Sequence, residues 1–335
     1  MGKSSRDKRD IFYRLAKEEG WRARSAYKLL QIDKEFDILS KDHEGNPVTR
    51  VVDLCAAPGS WSQVLSKRLW EPLSESERQN VKIVAVDLQA MAPIPGIIQL
   101  QGDITSRDTA DRVIQQFEGQ KAQLVVCDGA PDVTGLHDLD EYVQSHLVLA
   151  ALTICARILE NGGTFVAKVF RGREAGLLGA QLRCLFSGNV VFAKPSSSRN
   201  SSLESFVVCQ NFRGDTLLPA SLTSTVIKEG DSKRNDENSV ESLMCWLEGL
   251  DQLNTEQRII LPFVACGDLS GYDADSCYEL DDDYSPLNPV QPPISAAYLG
   301  VCKKARAVDA SSTAASVTNK EDQALSRLLS DTGLN

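Results

Sequence analysis

The apolar positions of this chain change period at two boundaries. From residue 7 to 36 they recur at helical spacing. Ile11, Phe12 and Leu15 share one side of a first helix, Gly20 interrupts, and Ala26, Leu29, Leu30 and Phe36 share one side of a second. From about residue 50 to 209, short runs of Val, Ile and Leu alternate with longer mixed stretches. Strands are predicted at 51–53, 81–87, 97–103, 124–128, 163–170, 189–194 and 203–209, with a helix after residue 60 and others near 107–118, 139–159 and 174–186. Strands that are apolar almost without interruption, each followed by a helix, are covered on both faces. The expected fold is α/β: a mostly parallel seven-stranded sheet with helices on both faces. After residue 212 the pattern lapses. A polar linker at 214–240, one helical turn at 243–247, a strand-like run at 259–268 and an extended segment around 281–294 are expected. This divides the chain into a basic helical arm (1–36) packing on the core, a catalytic domain (37–212) and an acidic, partly disordered appendage (213–335) suited to docking.

The stretch VVDLCAAPGSWSQVL, residues 51–65, is a strand, an acid, a small-residue turn and a helix start. Backbone N–H groups point outward at such a turn, and Gly59 lets a ligand come close. Parallel sheets bind ligands beyond the carboxyl ends of their strands. Asp53, Asp87, Asp103 and Asp128 all fall at such ends. Four carboxylates there repel one another unless a cationic or hydroxyl-rich ligand joins them. The turn lacks the GxGxxG spacing that a dinucleotide pyrophosphate needs, which weighs against a nicotinamide cofactor. S-adenosylmethionine has no phosphate and presents ribose hydroxyls, an adenine amine, an ammonium and a sulfonium. The expectation is thereby narrowed to an S-adenosylmethionine-dependent methyltransferase.

Charge changes the picture only when divided. The net charge is −10, yet residues 1–212 carry 26 basic and 26 acidic side chains, and residues 213–335 carry 10 and 20. Residues 1–28 hold nine basic against four acidic. Arg14, Lys17, Arg22, Arg24 and Lys28 taken alone read as a solvated helix face; with an RNA substrate, the arm becomes a contact for it. Three His, and nine Cys without a CxxC pair, leave little for a zinc site or a Ser-His-Asp triad, so no metal is expected. No apolar run reaches membrane-span length, and a cytoplasmic protein is expected.

One lysine stands out. Lys168 lies inside the strand-like run FVAKVF, and an ammonium resists desolvation. Asp128 and Glu204 neighbour it on the expected sheet, and Lys28 of the arm approaches the same edge. Two lysines and two carboxylates can align a hydroxyl for methylation. Lys168 is then either the proton acceptor, if burial or a nearby cation lowers its pKa, or an orienting group.

DLCAAPGSWSQ (53–63), Asp87-Leu88, Gly102-Asp103, DGAP (128–131), FVAKVF (165–170) and SSLE (201–204) together resemble the FtsJ/RrmJ family of ribose 2′-O-methyltransferases. The resemblance covers roughly residues 20–210. It implies a Rossmann-like methyltransferase fold, a catalytic Lys28-Asp128-Lys168-Glu204 set and cofactor contacts at Asp53, Gly59, Trp61, Asp87, Asp103 and Asp128. Ser60 stands where bacterial members carry a second Gly. The segments RDKRDIFYRLAKE (6–18), DGAPDVTG (128–135) and LPFVACGD (261–268) resemble the eukaryotic cytoplasmic members that act on the tRNA anticodon loop. That implies methylation at nucleotides 32 and 34, each with its own helper, one a helical-repeat and the other a WD-repeat protein.

Overall fold

The computed structural model describes residues 7–131, 134–172, 175–213 and 261–291. The linker at 214–240, the helical turn at 243–247 and the stretch from 292 onward lie outside them. Among the described residues no helix is long and apolar enough to cross a membrane.

Ahead of the sheet lie α1 (Ile11–Glu18) and α2 (Ala26–Phe36). Asp10 starts α1 by accepting the Tyr13 N–H at 3.0 Å. The sheet then runs β1 (Arg50–Leu54), β2 (Lys82–Asp87), β3 (Ile97–Gln101), β4 (Ala122–Cys127), β5 (Leu159–Phe170), β6 (Val190–Pro195), β7 (Glu204–Cys209) and β8 (Phe263–Cys266). Its spatial order is β3-β2-β1-β4-β5-β7-β6-β8. β1 to β5 are mutually parallel. β7 runs antiparallel to both neighbours, and β8 parallel to β6. The helices between strands are α3 (Ser60–Leu65), prolonged by a π-helical turn at Ser66–Trp70, α4 (Glu75–Arg78), α5 (Arg107–Gln116), α6 (His137–Ile158) and α7 (Ala175–Leu185).

Period two along the strands separates two apolar layers. Val52, Val84, Val125, Phe165 and Val207 pack under α5, α6 and α7. Val51, Ile83, Val126, Val166, Phe206 and Val208 pack under α2 and α3, against Ala26, Leu29, Ile32, Trp61 and Val64. The N-terminal arm thus covers part of one sheet face through α2.

Eight strands stand where seven were expected. The additional one comes from 261–268, which the sequence placed in the appendage. Phe192 N–H donates to Pro262 O at 2.8 Å and Ser196 N–H to Cys266 O at 2.8 Å, while Leu261 and Cys266 are buried. The segment then runs back to α1: Tyr278 N–H donates to Lys8 O at 2.9 Å, and the Tyr284 hydroxyl to Asp7 Oδ2 at 2.9 Å. The described residues fall together in one compact unit.

The cations of the arm do not form a solvated face. Lys17, 8% exposed, pairs with Asp7 at 2.6 Å and donates to Leu287 O. Arg24 pairs with Asp10 and donates to Ser197 O at 2.7 Å. Arg22 donates to three carbonyls, Pro58, Ala92 and Pro93, at 2.9–3.1 Å. These charges tie the arm to the core.

Candidate active site

Strand register assembles the site. Cys127 pairs with Ala167 across β4 and β5, so Asp128, the next residue, faces Lys168 at the carboxyl edge. The chain leaves β6 at that same edge, turns through 196–203 and re-enters as β7. An antiparallel β7 therefore begins where β5 ends, with Glu204 opposite Phe170 and Phe206 opposite Lys168. Alternation puts Glu204, Phe206 and Lys168 on one face. That face is the one α2 covers, and Lys28 lies in its first turn.

The four side chains meet. Lys168 Nζ is 2.8 Å from Asp128 Oδ1 and 3.7 Å from Glu204 Oε2; its best-aligned hydrogen bond goes to Asp128 O at 2.9 Å. Lys28 Nζ is 2.7 Å from Glu204 Oε1 and 2.8 Å from Oε2. Ser198 Oγ donates to Glu204 Oε1 at 2.6 Å. Burial works against the Lys168 ammonium, but Asp128 and Glu204 outweigh it and hold its pKa above the ordinary lysine value. Burial would also raise the Glu204 carboxyl. Lys28, then Lys168 and the Ser198 hydroxyl, reverse that and hold it at about 2.

The proposed cofactor residues divide. Asp87, at the end of β2, accepts Ala57 N–H on Oδ2 and Gln89 N–H on Oδ1, both at 2.8 Å, and so pins the small-residue turn. Asp103 is exposed and accepts from Thr105 N and Oγ1 at 2.8 Å. Gly59 takes a φ of +102°, closed to ordinary side chains, and opens α3. Asp53 is not a surface contact: it is wholly buried, and Oδ2 receives the Ser62 hydroxyl at 2.6 Å. Burial, with help from Asp128 and Asp87, pushes its carboxyl up to about 7 against the lowering influence of Ser62. The Trp61 side chain is buried as well: its indole is 1% exposed, packs on Phe206 at 5.6 Å and donates to Ser25 O at 2.8 Å, while its backbone stands at the helix start.

This donor set fits S-adenosylmethionine. Asp53 Oδ1 is buried without a hydrogen-bond partner in the protein, an oxygen that a nearby ammonium or a water bound to it would satisfy. Asp87 and Asp103 present carboxylates to hydroxyls and an amine, where a pyrophosphate would be repelled. Residues 59–61 offer backbone at a helix start. No group of His, Cys, Asp and Glu able to hold a metal occurs among the described residues.

Sequence reasoning missed three supports. Gln144 of α6, 2% exposed, donates to Gly129 O at 3.0 Å and Lys168 O at 2.8 Å, bolting the helix to both strand ends. Ser198 gave no signal beyond a run of serines. Lys194 in FAKP carries the same in-strand signal as Lys168. It is 8% exposed, and its Nζ donates to Ser202 O at 2.8 Å and Glu204 O at 2.6 Å, which fixes the backbone that presents Glu204.

The sequence profile of the FtsJ-like methyltransferase family matches residues 21–212. A mouse tRNA (cytidine(32)/guanosine(34)-2′-O)-methyltransferase is 53% identical over 307 residues, 90% of this chain and 86% of that protein. The human enzyme of the same name is 52% identical over 306 residues, 90% and 84% of the two chains. A Drosophila melanogaster tRNA (guanosine(34)-2′-O)-methyltransferase is 50% identical over 311 residues, 92% and 89%.

Proposed function

The chain belongs to the FtsJ-like methyltransferase family, and from that premise we propose that it methylates the ribose 2′-oxygen of nucleotides 32 and 34 in the tRNA anticodon loop. The observation that carries the chemistry is the cluster at the ends of β4, β5 and β7: Lys168 between Asp128 and Glu204, and Lys28 on Glu204. The names of relatives half identical over most of the chain support the tRNA loop as target. S-adenosylmethionine, when bound, supplies an electrophilic methyl group.

The remaining work falls to the protein. A ribose hydroxyl is a weak nucleophile and must be aligned. Lys168, held as an ammonium by its carboxylates, is suited to donate a hydrogen bond to the 2′-oxygen and fix its lone pair. It is not suited to be the resting proton acceptor. Glu204 holds Lys28 and Lys168 in register, and Asp128 sets Lys168 from the other side. Of the two roles that the sequence leaves open for Lys168, orientation is the one we propose.

The test is nucleoside mass spectrometry of tRNA from cells carrying the wild-type chain or Lys168→Ala. Loss of 2′-O-methylation at positions 32 and 34 supports the reading. Loss at 34 alone narrows it to the single position in the fly relative's name. Unchanged tRNA with a loss in ribosomal RNA moves the substrate and keeps the chemistry. The proposal extends to a cytoplasmic setting and to a separate helper at each position, a helical-repeat and a WD-repeat protein. If a chain lacking residues 292–335 still captures both helpers, that segment is not their dock.

A further inference from the structure

Ser60 opens α3 in the small-residue turn, and the chemistry above gives its side chain no task. It is 2% exposed, so its hydroxyl needs a partner within the protein. That partner is Ser25, with the two Oγ atoms 2.5 Å apart.

Ser25 stands at the cap position of α2, where a serine ordinarily bonds its own helix. Its hydroxyl makes no such bond and turns to Ser60 instead. The Ser25 carbonyl is shared as well. It accepts the Lys28 N–H at 3.0 Å, in the first turn of α2, and the Trp61 indole N–H at 2.8 Å. Ser60 and Trp61, adjacent at the start of α3, thus hold both oxygens of Ser25, and one of those oxygens also holds the backbone of Lys28.

The same seam is crossed again by Gln63 of α3, whose Oε1 accepts the Arg22 N–H at 2.8 Å and whose Nε2 donates to Gly20 O at 3.2 Å. On its other side the turn is fixed to the sheet edge, where Asp87 accepts the Ala57 N–H at 2.8 Å. Beyond Ser25, Lys28 Nζ reaches both carboxylate oxygens of Glu204. Between the cofactor turn and the catalytic ammonium there is one hydroxyl pair, one carbonyl and one side chain. Methyl transfer is sensitive to placement, and an error of 1 Å can cost about a hundredfold in rate.

We propose that Ser60 is a positioning residue for the reaction: its hydroxyl, through Ser25, sets the first turn of α2 and with it the place of Lys28 relative to the cofactor turn. The proposal rests on the methyltransferase reading and adds to it a side chain outside the catalytic set. A serine that served only the packing of α3 would, on removal, lower Tm and cofactor affinity and leave the turnover of the bound complex unchanged.

Initial rates are measured with the full chain in an extract of cells deleted for it, which supplies any helper, on tRNA purified from the same cells. The variants are Ser60→Ala, Ser25→Ala, the double variant and Ser25→Thr. Calorimetry on the purified chains gives the Kd for S-adenosylmethionine. Each Ala variant is expected to lower kcat about fivefold to tenfold, the size of one lost hydrogen bond, with cofactor Kd and the KM for tRNA within about twofold of wild type. The double variant is expected to lose no more than either single one, because both remove the same bond. Ser25→Thr keeps the hydroxyl and is expected to retain most of the rate. Wild-type kcat in both Ala variants overturns the proposal. So do losses that multiply in the double variant, or a fall in cofactor affinity as large as the fall in kcat. Ser25 is half-buried, and Ser25→Ala decides the matter if Ser60→Ala fails to fold. A wild-type chain that methylates no tRNA overturns the functional reading, and this role with it.

Discussion

Lys28 and Glu204, 176 residues apart, form an ion pair through both carboxylate oxygens, 2.7 Å to Oε1 and 2.8 Å to Oε2. The pair joins the N-terminal arm to the first residue of β7. It is also the reason Glu204 remains a carboxylate at 15% side-chain exposure. The sign of its pH linkage follows. A carboxyl depressed to about 2 contributes stability above its unfolded value of about 4.3, and the contribution is lost as pH falls from there toward 2. Chemical denaturation over that window is expected to show falling stability in wild type and a flatter profile in Glu204→Gln. At pH 7 the variant leaves two lysines without their shared carboxylate and is expected to be about 3 kcal/mol less stable.

Lys168 has the opposite shift. With its pKa above the ordinary lysine value, its ammonium is present throughout the neutral range, and its contribution is lost only as pH rises through that raised value. Replacement by Ala is expected to lower kcat by about a hundredfold or more through lost alignment. Lys168→Arg retains a cation and a donor, so the kcat–pH profile below about pH 10 is expected to keep every limb of the wild type. Disappearance of a limb in the Arg variant would make Lys168 the proton acceptor.

How much of this was readable beforehand differs by residue. Asp87, Asp103 and Asp128 were legible because a strand's apolar run stops where the sheet edge begins. Lys168 was legible because a lysine within such a run needs a reason. Glu204 was placed beside Lys168 on the expected sheet, but what brings it there is the antiparallel entry of β7, which alternation alone does not fix. The arm packs on the core as expected, but cations other than Lys28 were misread, because a cation on an amphipathic helix looks solvated until its partner is known. Asp7, Asp10 and the carbonyls of Pro58, Ala92 and Pro93 come from packing. Asp53 and Trp61 lay in the right motif but face inward: a motif marks a turn and leaves open which of its side chains line it.

Asp53 is expected to make cofactor binding proton-linked. Its carboxyl, near 7, is partly protonated at neutral pH and contributes stability below the ordinary aspartate range that is lost as pH rises through about 7. A cationic ligand at the neighbouring strand ends favours the charged form and expels the proton. Calorimetric titration of S-adenosylmethionine at pH 7, in buffers of different ionisation enthalpy, is expected to show release of a fraction of a proton. Asp53→Asn is expected to remove that release. Equal heats in all buffers for wild type would place Asp53 outside the cofactor's field.

Gly59→Ala tests the turn. A φ of +102° disfavours any side chain, and a Cβ would lie 2.8 Å from Arg22 Nη1 and 2.9 Å from Ile94 Cδ1. Left-handed strain alone is about 1–2 kcal/mol. Relief by displacing Arg22 frees three carbonyls of the turn and its facing loop. Both a lowered Tm and weakened S-adenosylmethionine binding are expected, the latter measured by calorimetry at a temperature where the variant is folded.

The family profile ends at residue 212, yet the fold does not. Cutting the chain after Arg213 preserves all of that matched stretch but removes β8, the buried Leu261 and Cys266, and the Asp275 carboxylate that holds the loop carrying Ser198 toward Glu204. Leu261 also fills the space beside Gly179 of α7, so its loss uncovers the larger apolar layer. Losing one buried leucine is worth about 2–3 kcal/mol, before the freed edge of β6 is counted. A chain ending at residue 213 is therefore expected to aggregate or to melt well below the full chain. One ending at residue 291 is expected to keep the wild-type Tm within a few degrees, because it retains every described residue, and these fall in one compact unit. Scanning calorimetry of the two truncations separates these outcomes. Equal stability would mean that β8 lies on the sheet without supporting it.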